Sequence, residues 1–268
     1  MALVTAGCRD LAAAPRAAPP ARGAAVVWAI GDGATGRNGQ RRLARTVARE
    51  RPAALIYLGD VYEHGTPTEF RSHFAVPYAA LLKRMWPTPG NHEWPLHARG
   101  YDPFWKRVLG HALPTRYERR IGGWQVVSVN SEQAEDPAQL RWLRDRMRGR
   151  STCRIVFWHR PRFSAGTHGD QGDTDGLWRA VQGHAALVLS GHDHDLQRFK
   201  PIGGTVQVVS GAGGAEHYPV DRGDPRLAFA DDAHFGGLRL ELRPGRAVLT
   251  FISTDGGRLD RSTLRCRP

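Results

Sequence analysis

From residue 26 onward the chain falls into short apolar runs separated by glycine-bearing loops. Residues 26–30, 53–58, 85–88, 124–130, 153–158 and 186–190 are continuous in apolar character and too short for helices. They read as strands buried on both faces. Helical spacing lies between them. Residues 37–50 place Leu43 and Val47 one turn apart, and residues 68–82 are helical in part, with Pro77 as a local break. Asp136-Pro137 supplies an N-cap and first position for a helix running to Met147, and residues 174–182 form another. This alternation predicts an α/β domain. The tail differs: residues 205–210, 238–242 and 247–253 read as strands joined by turns.

Residues 9–24 are rich in Ala, Pro and Arg and show no apolar period. They predict a flexible leader or tether over residues 1–24, followed by one domain over residues 25–268. A chain of 268 residues, 41% of them hydrophobic, can bury a core of that size. No run of about 20 apolar residues exists, so no membrane-spanning helix is expected.

The formal net charge is +12, almost all of it from arginine; the lysines are Lys83, Lys106 and Lys200. One reading is a surface that attracts phosphate-bearing partners. The other is a compositional bias that also explains the abundant Ala, Gly and Pro. No basic run is interleaved with aromatics, so specific nucleic-acid binding is not expected. The cysteines are Cys8, Cys153 and Cys266. Residues 5–8, Thr-Ala-Gly-Cys, are similar to the end of a bacterial lipoprotein signal. They depart from it in Thr5, in a short apolar run and in the lack of a basic start. Two expectations follow. An exported or lipid-anchored protein would carry lipid on Cys8 and bond Cys153 to Cys266; a cytoplasmic one would hold three separate thiols.

The chemistry-bearing residues sit where apolar runs end. The junctions are Gly31-Asp32-Gly33, Gly59-Asp60-Val61-Tyr62, Gly90-Asn91-His92-Glu93, His159, and Gly191-His192-Asp193-His194. Sites in open α/β sheets gather at the carboxyl ends of strands, so five junctions can meet in one place. Oxygen and nitrogen donors without cysteine suit Zn, Mn, Fe or Mg. A carboxylate can bridge two cations about 3.5–4 Å apart, and such a pair clamps an in-line displacement. The glycine before each Asp is expected to supply a sharp turn. Singly, each piece has a bland reading: Gly-Asp is usually a turn, and His-x-His is more often surface or core. Together, two carboxylates at neighbouring strand ends repel unless a cation or donors accompany them.

The order GD, GD, GNHE, WH, GHDH resembles the calcineurin-like metallophosphoesterases, from residue 26 to about 212. Asp32-Gly33-Ala34 lacks the histidine of the usual Asp-x-His first motif. In this it is similar to the purple acid phosphatase branch, where a tyrosine of the second motif binds metal. Here Tyr62 follows Asp60 by two residues instead of three. Residues 159–166 also resemble that branch. The resemblance implies a four-layer sandwich, two mixed β-sheets flanked by helices. It implies two divalent or trivalent ions (Fe, Zn or Mn). One would be held by Asp32, Asp60, Tyr62 and His194, the other by Asp60, Asn91, His159 and His192. A hydroxide held by the metals would attack phosphorus, with His92 as general acid or charge stabiliser at the leaving oxygen.

The implied activity is hydrolysis of a phosphorylated small molecule, as a phosphomonoesterase of acid-phosphatase type. A phosphodiesterase acting on cyclic nucleotides, nucleic acid or phospholipid headgroups is an alternative, and a non-catalytic scaffold on this fold is another. His64, Arg160 and His168 stand next to the motifs as candidate substrate contacts. Arg162 offers a second guanidinium fork for phosphate. His217 and His234 follow the last motif at a greater distance.

Overall fold

The computed structural model describes residues 15–268. Two mixed sheets lie face to face. The six-stranded sheet runs β13-β12-β11-β1-β2-β3 and the seven-stranded sheet β10-β8-β9-β7-β6-β5-β4. In the first, β1 (Ala25–Ile30), β2 (Ala54–Tyr57) and β3 (Met85–Pro87) are parallel, and β11 (Gly236–Arg243), β12 (Arg246–Ser253) and β13 (Arg258–Arg265) continue it antiparallel. In the second, β5 (Trp124–Ser128), β6 (Arg154–Phe157), β7 (Leu187–Ser190) and β9 (Val206–Ser210) are parallel. The antiparallel strands β4 (Tyr117–Ile121), β8 (Leu196–Phe199) and β10 (Leu227–Asp231) complete it.

Alternate side chains build three apolar layers. Val27, Ala29, Ile56, Phe157, Leu189, Leu240 and Leu249 meet between the sheets. Trp28, Leu55 and Tyr57 face outward onto Leu43 and Val47 of α1 (Asn38–Glu50) and onto Phe70 and Phe74. Phe70 and Phe74 belong to a π-helical turn that continues α2 (Pro67–Glu69). On the other side Val156, Trp158 and Val188 meet Leu143 of α4 (Pro137–Arg146) and Leu177 and Trp178 of α5 (Asp175–Val181). The result is helix, sheet, sheet, helix, the four-layer α/β sandwich expected. Asp136 caps α4 as read, accepting from the amides of Ala138 and Gln139.

Several elements escape the apolar pattern. The helix α3 (Tyr101–Leu109) contains Pro103, and β4 and β13 are polar edge strands. Of the segment expected as a flexible leader, Cys8 and residues 1–14 lie outside the described residues. Within residues 15–24, Pro15 and Ala17 pair with Arg258 and Gly256, and the Ala21 amide donates to Glu241. Among the described residues, no helix is long and apolar enough to cross a membrane.

Cys153 and Cys266 are bonded across 113 residues, tying the stretch after β13 to the start of β6. Cross-linking so long a loop restricts the unfolded chain and is worth about 2–5 kcal/mol. Replacing both cysteines with serine is expected to lower unfolding free energy by that amount in denaturant titration; an unchanged midpoint would contradict the bond.

Candidate metal centre

The loops after β1, β2, β3, β6 and β7 converge at one end of the sandwich. Three of their residues take the left-handed conformation that side-chain-bearing residues avoid: Asp32 (φ 57), Asp60 (φ 69) and His192 (φ 74). This corrects, for Gly31, the expectation that the preceding glycines make the turns. Gly59 is left-handed (φ 98), but Gly31 is not. Gly31 is required for space, because a Cβ there would lie 3.1 Å from both Gly191 Cα and Leu58 Cβ. The bends are held by hydrogen bonds: the His192 amide donates to Asp32 Oδ2 at 2.9 Å and the His92 amide to Asp60 Oδ1 at 3.2 Å. Buried Glu93 accepts from the amides of Asp60, Val61 and Gly90 at 3.2, 3.0 and 3.0 Å, clamping the second loop to the third. Burial and the nearby Asp60 charge push its carboxyl up to about 8.

Asp32, Asp60 and His159 are all buried, and each offers a donor atom within 4.8 Å of the other two. Hydrogen bonds fix how the rings face the centre. His159 Nδ1 donates to the Leu58 carbonyl at 2.7 Å, which turns Nε2 toward the centre. That nitrogen faces Asn91 Oδ1 at 2.9 Å, Asp60 Oδ1 at 3.4 Å and His192 Nδ1 at 3.2 Å. His194 Nδ1 donates to the Glu216 carbonyl at 2.8 Å, so its Nε2 turns inward, 2.7 Å from the Tyr62 hydroxyl and 3.8 Å from Asp32 Oδ1. The Tyr62 hydroxyl is also 3.2 Å from Asp32 Oδ1 and from Asp60 Oδ2. Its two-residue spacing therefore still carries the phenol into the cluster.

The electrostatics run one way. Burial, then the Asp60 charge, raises the Asp32 carboxyl well above its usual range. Burial, then Asp32 and Asp60, does the same to the Tyr62 phenol. Burial lowers His194 to about 4, and burial with the neighbouring His159 drives His192 further down. Every shift favours the form with less charge, as expected where lone pairs converge in a dry place. A cation fits this donor set because it gives the facing acceptors a common partner without requiring protons.

At the rim, His92 Nδ1 donates to the Glu63 carbonyl at 2.7 Å and its Nε2 stands 3.8 Å from Asp60 Oδ2, with 31% of the side chain exposed. His64 joins Asn91 and His92 in lining a cavity of about 270 Å³. Tyr62, His92 and His194 line a second of about 260 Å³, together with Arg37 and Tyr218. His168 stacks on His192, ring centres 4.2 Å apart. Arg160 departs from the expectation of a free phosphate fork: its guanidinium is bidentate on Glu132 at 2.8 and 2.9 Å, although its charge still depresses His192. Arg162 is bound to Asp175 at 3.0 Å. His217 packs against the His194 carbonyl and His234 pairs with Asp231, both outside the cluster of inward-facing donors.

Sequence reasoning passed over three residues. Glu93 and Asp193 stood inside the quoted motifs as apparent spacers; Asp193 accepts from the Ser164 hydroxyl and the His168 amide, holding the loop that carries His168. Tyr218, stacked on His194 with ring centres 4.1 Å apart, follows a glycine-rich stretch and carries no periodic or motif signal.

The model of the calcineurin-like phosphoesterase family matches residues 25–196, well over half of the chain. The chain belongs to that family. Among solved structures, it is similar to purple acid phosphatase PPD1 from yellow lupin (Lupinus luteus) seeds, with 16% identity and a TM-score of 0.75 over 93% of this chain and 55% of that one. It thus spans just over half of the lupin chain. GAP50, the anchor in the inner membrane complex of Plasmodium, gives 13% identity and a TM-score of 0.74 over 91% of this chain and 90% of that one. A dimetal phosphatase from Danio rerio gives 13% identity and a TM-score of 0.57 over 90% of this chain and 98% of that one. No curated protein sequence matches.

Two substitutions test the geometry. A Cβ on Gly90 would overlap Asp60 Oδ1 and lie 2.7 Å from the Asp60 amide. Gly90→Ala is expected to purify with little bound metal while its circular dichroism stays native, and wild-type metal content would contradict the placement of Asp60. Glu93→Gln turns one acceptor into a donor facing amides, which is expected to cost about 1–3 kcal/mol; thermal unfolding reads the change.

Proposed function

We propose that the protein is a dinuclear metal-dependent phosphoesterase acting on phosphate monoesters. Asp32, Asp60, Tyr62 and His194 would hold one ion, and Asp60, Asn91, His159 and His192 the other. The observation that carries this reading is the inward-turned Nε2 of His159, close to both Asn91 Oδ1 and Asp60 Oδ1. These are the ligand atom types that a shared cation takes. Asp60 suits the bridging position, since Oδ1 turns to His159 and Oδ2 to Tyr62. When bound, the ions would supply Lewis acidity, lowering the pKa of a water and neutralising charge on the ester.

The chain's own residues would do the rest. The Glu63 carbonyl holds His92 Nδ1, so a protonated His92 presents Nε2–H at the mouth. Its Nε2 stands 3.8 Å from Asp60 Oδ2 at that mouth, and the leaving oxygen would take the proton. His64 and His168, at the rim, would contact the ester or its alcohol. Tyr62 within reach of Asp32, Asp60 and His194 supports the likeness to the purple acid phosphatase branch, while turnover of mono- and diesters separates the two activities. The likeness to GAP50, an anchor in the inner membrane complex of Plasmodium, favours a second reading as a non-catalytic scaffold. The complete inward-facing donor set speaks for the enzyme. The Cys153–Cys266 bond supports export to an oxidising compartment.

His159→Ala and Asn91→Ala are expected to abolish turnover of p-nitrophenyl phosphate with the fold intact; unchanged turnover would refute the ligand assignment. His92→Ala is expected to keep its metal by elemental analysis and lose about 10²–10⁴-fold in rate. Faster turnover of bis-p-nitrophenyl phosphate than of the monoester would reassign the enzyme as a diesterase. A ferric ion at Tyr62 would give visible absorption that Tyr62→Phe bleaches, whereas a colourless protein rich in zinc or manganese assigns those ions instead.

A further inference from the structure

The outer face of the six-stranded sheet changes character along its width. Across β1 and β2 it is apolar and covered by α1. Across β11, β12 and β13 it is cationic. The register sets Arg239 opposite Thr250 and Thr250 opposite Arg261, one row over three strands. Leu238, Leu240, Leu249 and Phe251, the alternate positions, point into the core between the sheets.

Residues 17–24 pass over this row, pinned where the Ala17 amide donates to Gly256 and the Ala21 amide to Glu241 Oε2. Beneath and beside them are two cavities of about 110 and 70 Å³, both lined by Ala21, Glu241 and Arg261. Arg239, Thr250 and Arg258 line the larger one, Arg243 and Arg246 the smaller. Five arginines and one carboxylate thus line the two cavities. That carboxylate, Glu241, is already held by Arg239 Nη1 at 2.7 Å and by the Ala21 amide.

Arg239 is only 1% exposed. Its Nε binds Glu50 at 2.8 Å, and its Nη2 has no partner among the described residues. Arg243 Nε and Thr250 Oγ1 are likewise buried without a partner. These are three of the nine such atoms among the described residues, and all three belong to residues lining this one cleft. Buried donors are normally satisfied, and an unpaired charged one is costly.

We propose that the cleft is an oxyanion site, taking one compact tetrahedral anion of phosphate or sulfate size between Arg239, Thr250 and Arg261, with Arg258 beside it. The unmet groups are donors, and guanidinium forks match pairs of anionic oxygens. A cavity of about 110 Å³ admits an inorganic ion and is too small for a nucleotide. The strands that build it carry none of the metal-centre residues, so this site is separate from the proposed catalytic one.

Crystals of the full chain grown with sodium selenate test the location. An anomalous peak within hydrogen-bond reach of Arg239 Nη2 and Thr250 Oγ1 is expected. Ordered water alone there, or the chain's own Asp10 carboxylate, would overturn the proposal. In solution, inorganic phosphate is titrated calorimetrically into the chelator-treated His159→Ala protein, which removes binding at the metal centre. Binding is expected, and Arg261→Ala, an exposed change that leaves the core untouched, should weaken it about tenfold; equal affinity in both proteins refutes the site. Phosphatidylglycerol vesicles separate a free ion from a lipid headgroup. Co-sedimentation that depends on Arg258 and Arg261, without any response to inorganic phosphate, would also refute it.

Discussion

The molecule is organised around one electrostatic constraint: potential ligand atoms from several loops are pressed together in a buried space. His159 Nε2, Asn91 Oδ1, His192 Nδ1, His194 Nε2 and the carboxylates of Asp32 and Asp60 crowd together in buried surroundings that favour positive charge among them. Protons can supply part of it, and the raised Asp32 and Tyr62 values describe that state. Metal ions supply it more completely. The rest of the fold makes this crowding possible.

The means are ordinary. Parallel strands deliver their carboxyl ends to one edge of each sheet, and the two sheets face each other so that the edges meet. Backbone carbonyls at Leu58 and Glu216 take one proton from His159 and His194 and so choose which nitrogen looks inward. Glu93 locks two loops together through three amides. His168 and Tyr218 lie flat on His192 and His194 and limit how those rings can turn. A network of this kind transmits small errors, which is why residues with no direct contact to a substrate matter to the centre.

How much of this was legible in the sequence depended on whether a feature leaves a local mark. Doubly buried strands leave a strong one: 187–190 differs from its apolar run by a residue at one end, and 154–157 by a residue at each end. Edge strands do not: β13, Arg-Leu-Asp-Arg-Ser-Thr-Leu-Arg, covers one face only and carries charge on the other. The α3 helix was hidden by Pro103, which a first turn tolerates. The ligand types were readable because they stand at strand ends. The engagement of Arg160 by Glu132 was not, since the partners are 28 residues apart and neither position has a distinctive neighbour. The left-handed bends at the aspartates were also invisible, because a Gly-Asp pair invites the assumption that glycine does the turning.

Those bends carry a further implication. Glycine would occupy φ 57, φ 69 or φ 74 without the steric conflict that Asp32, Asp60 and His192 endure there, a relief of about 1 kcal/mol at each position. A chain using this sandwich only as a platform would gain robustness by giving up all three side chains. This one retains each of them, so resistance to heat and readiness for chemistry pull against each other at those positions.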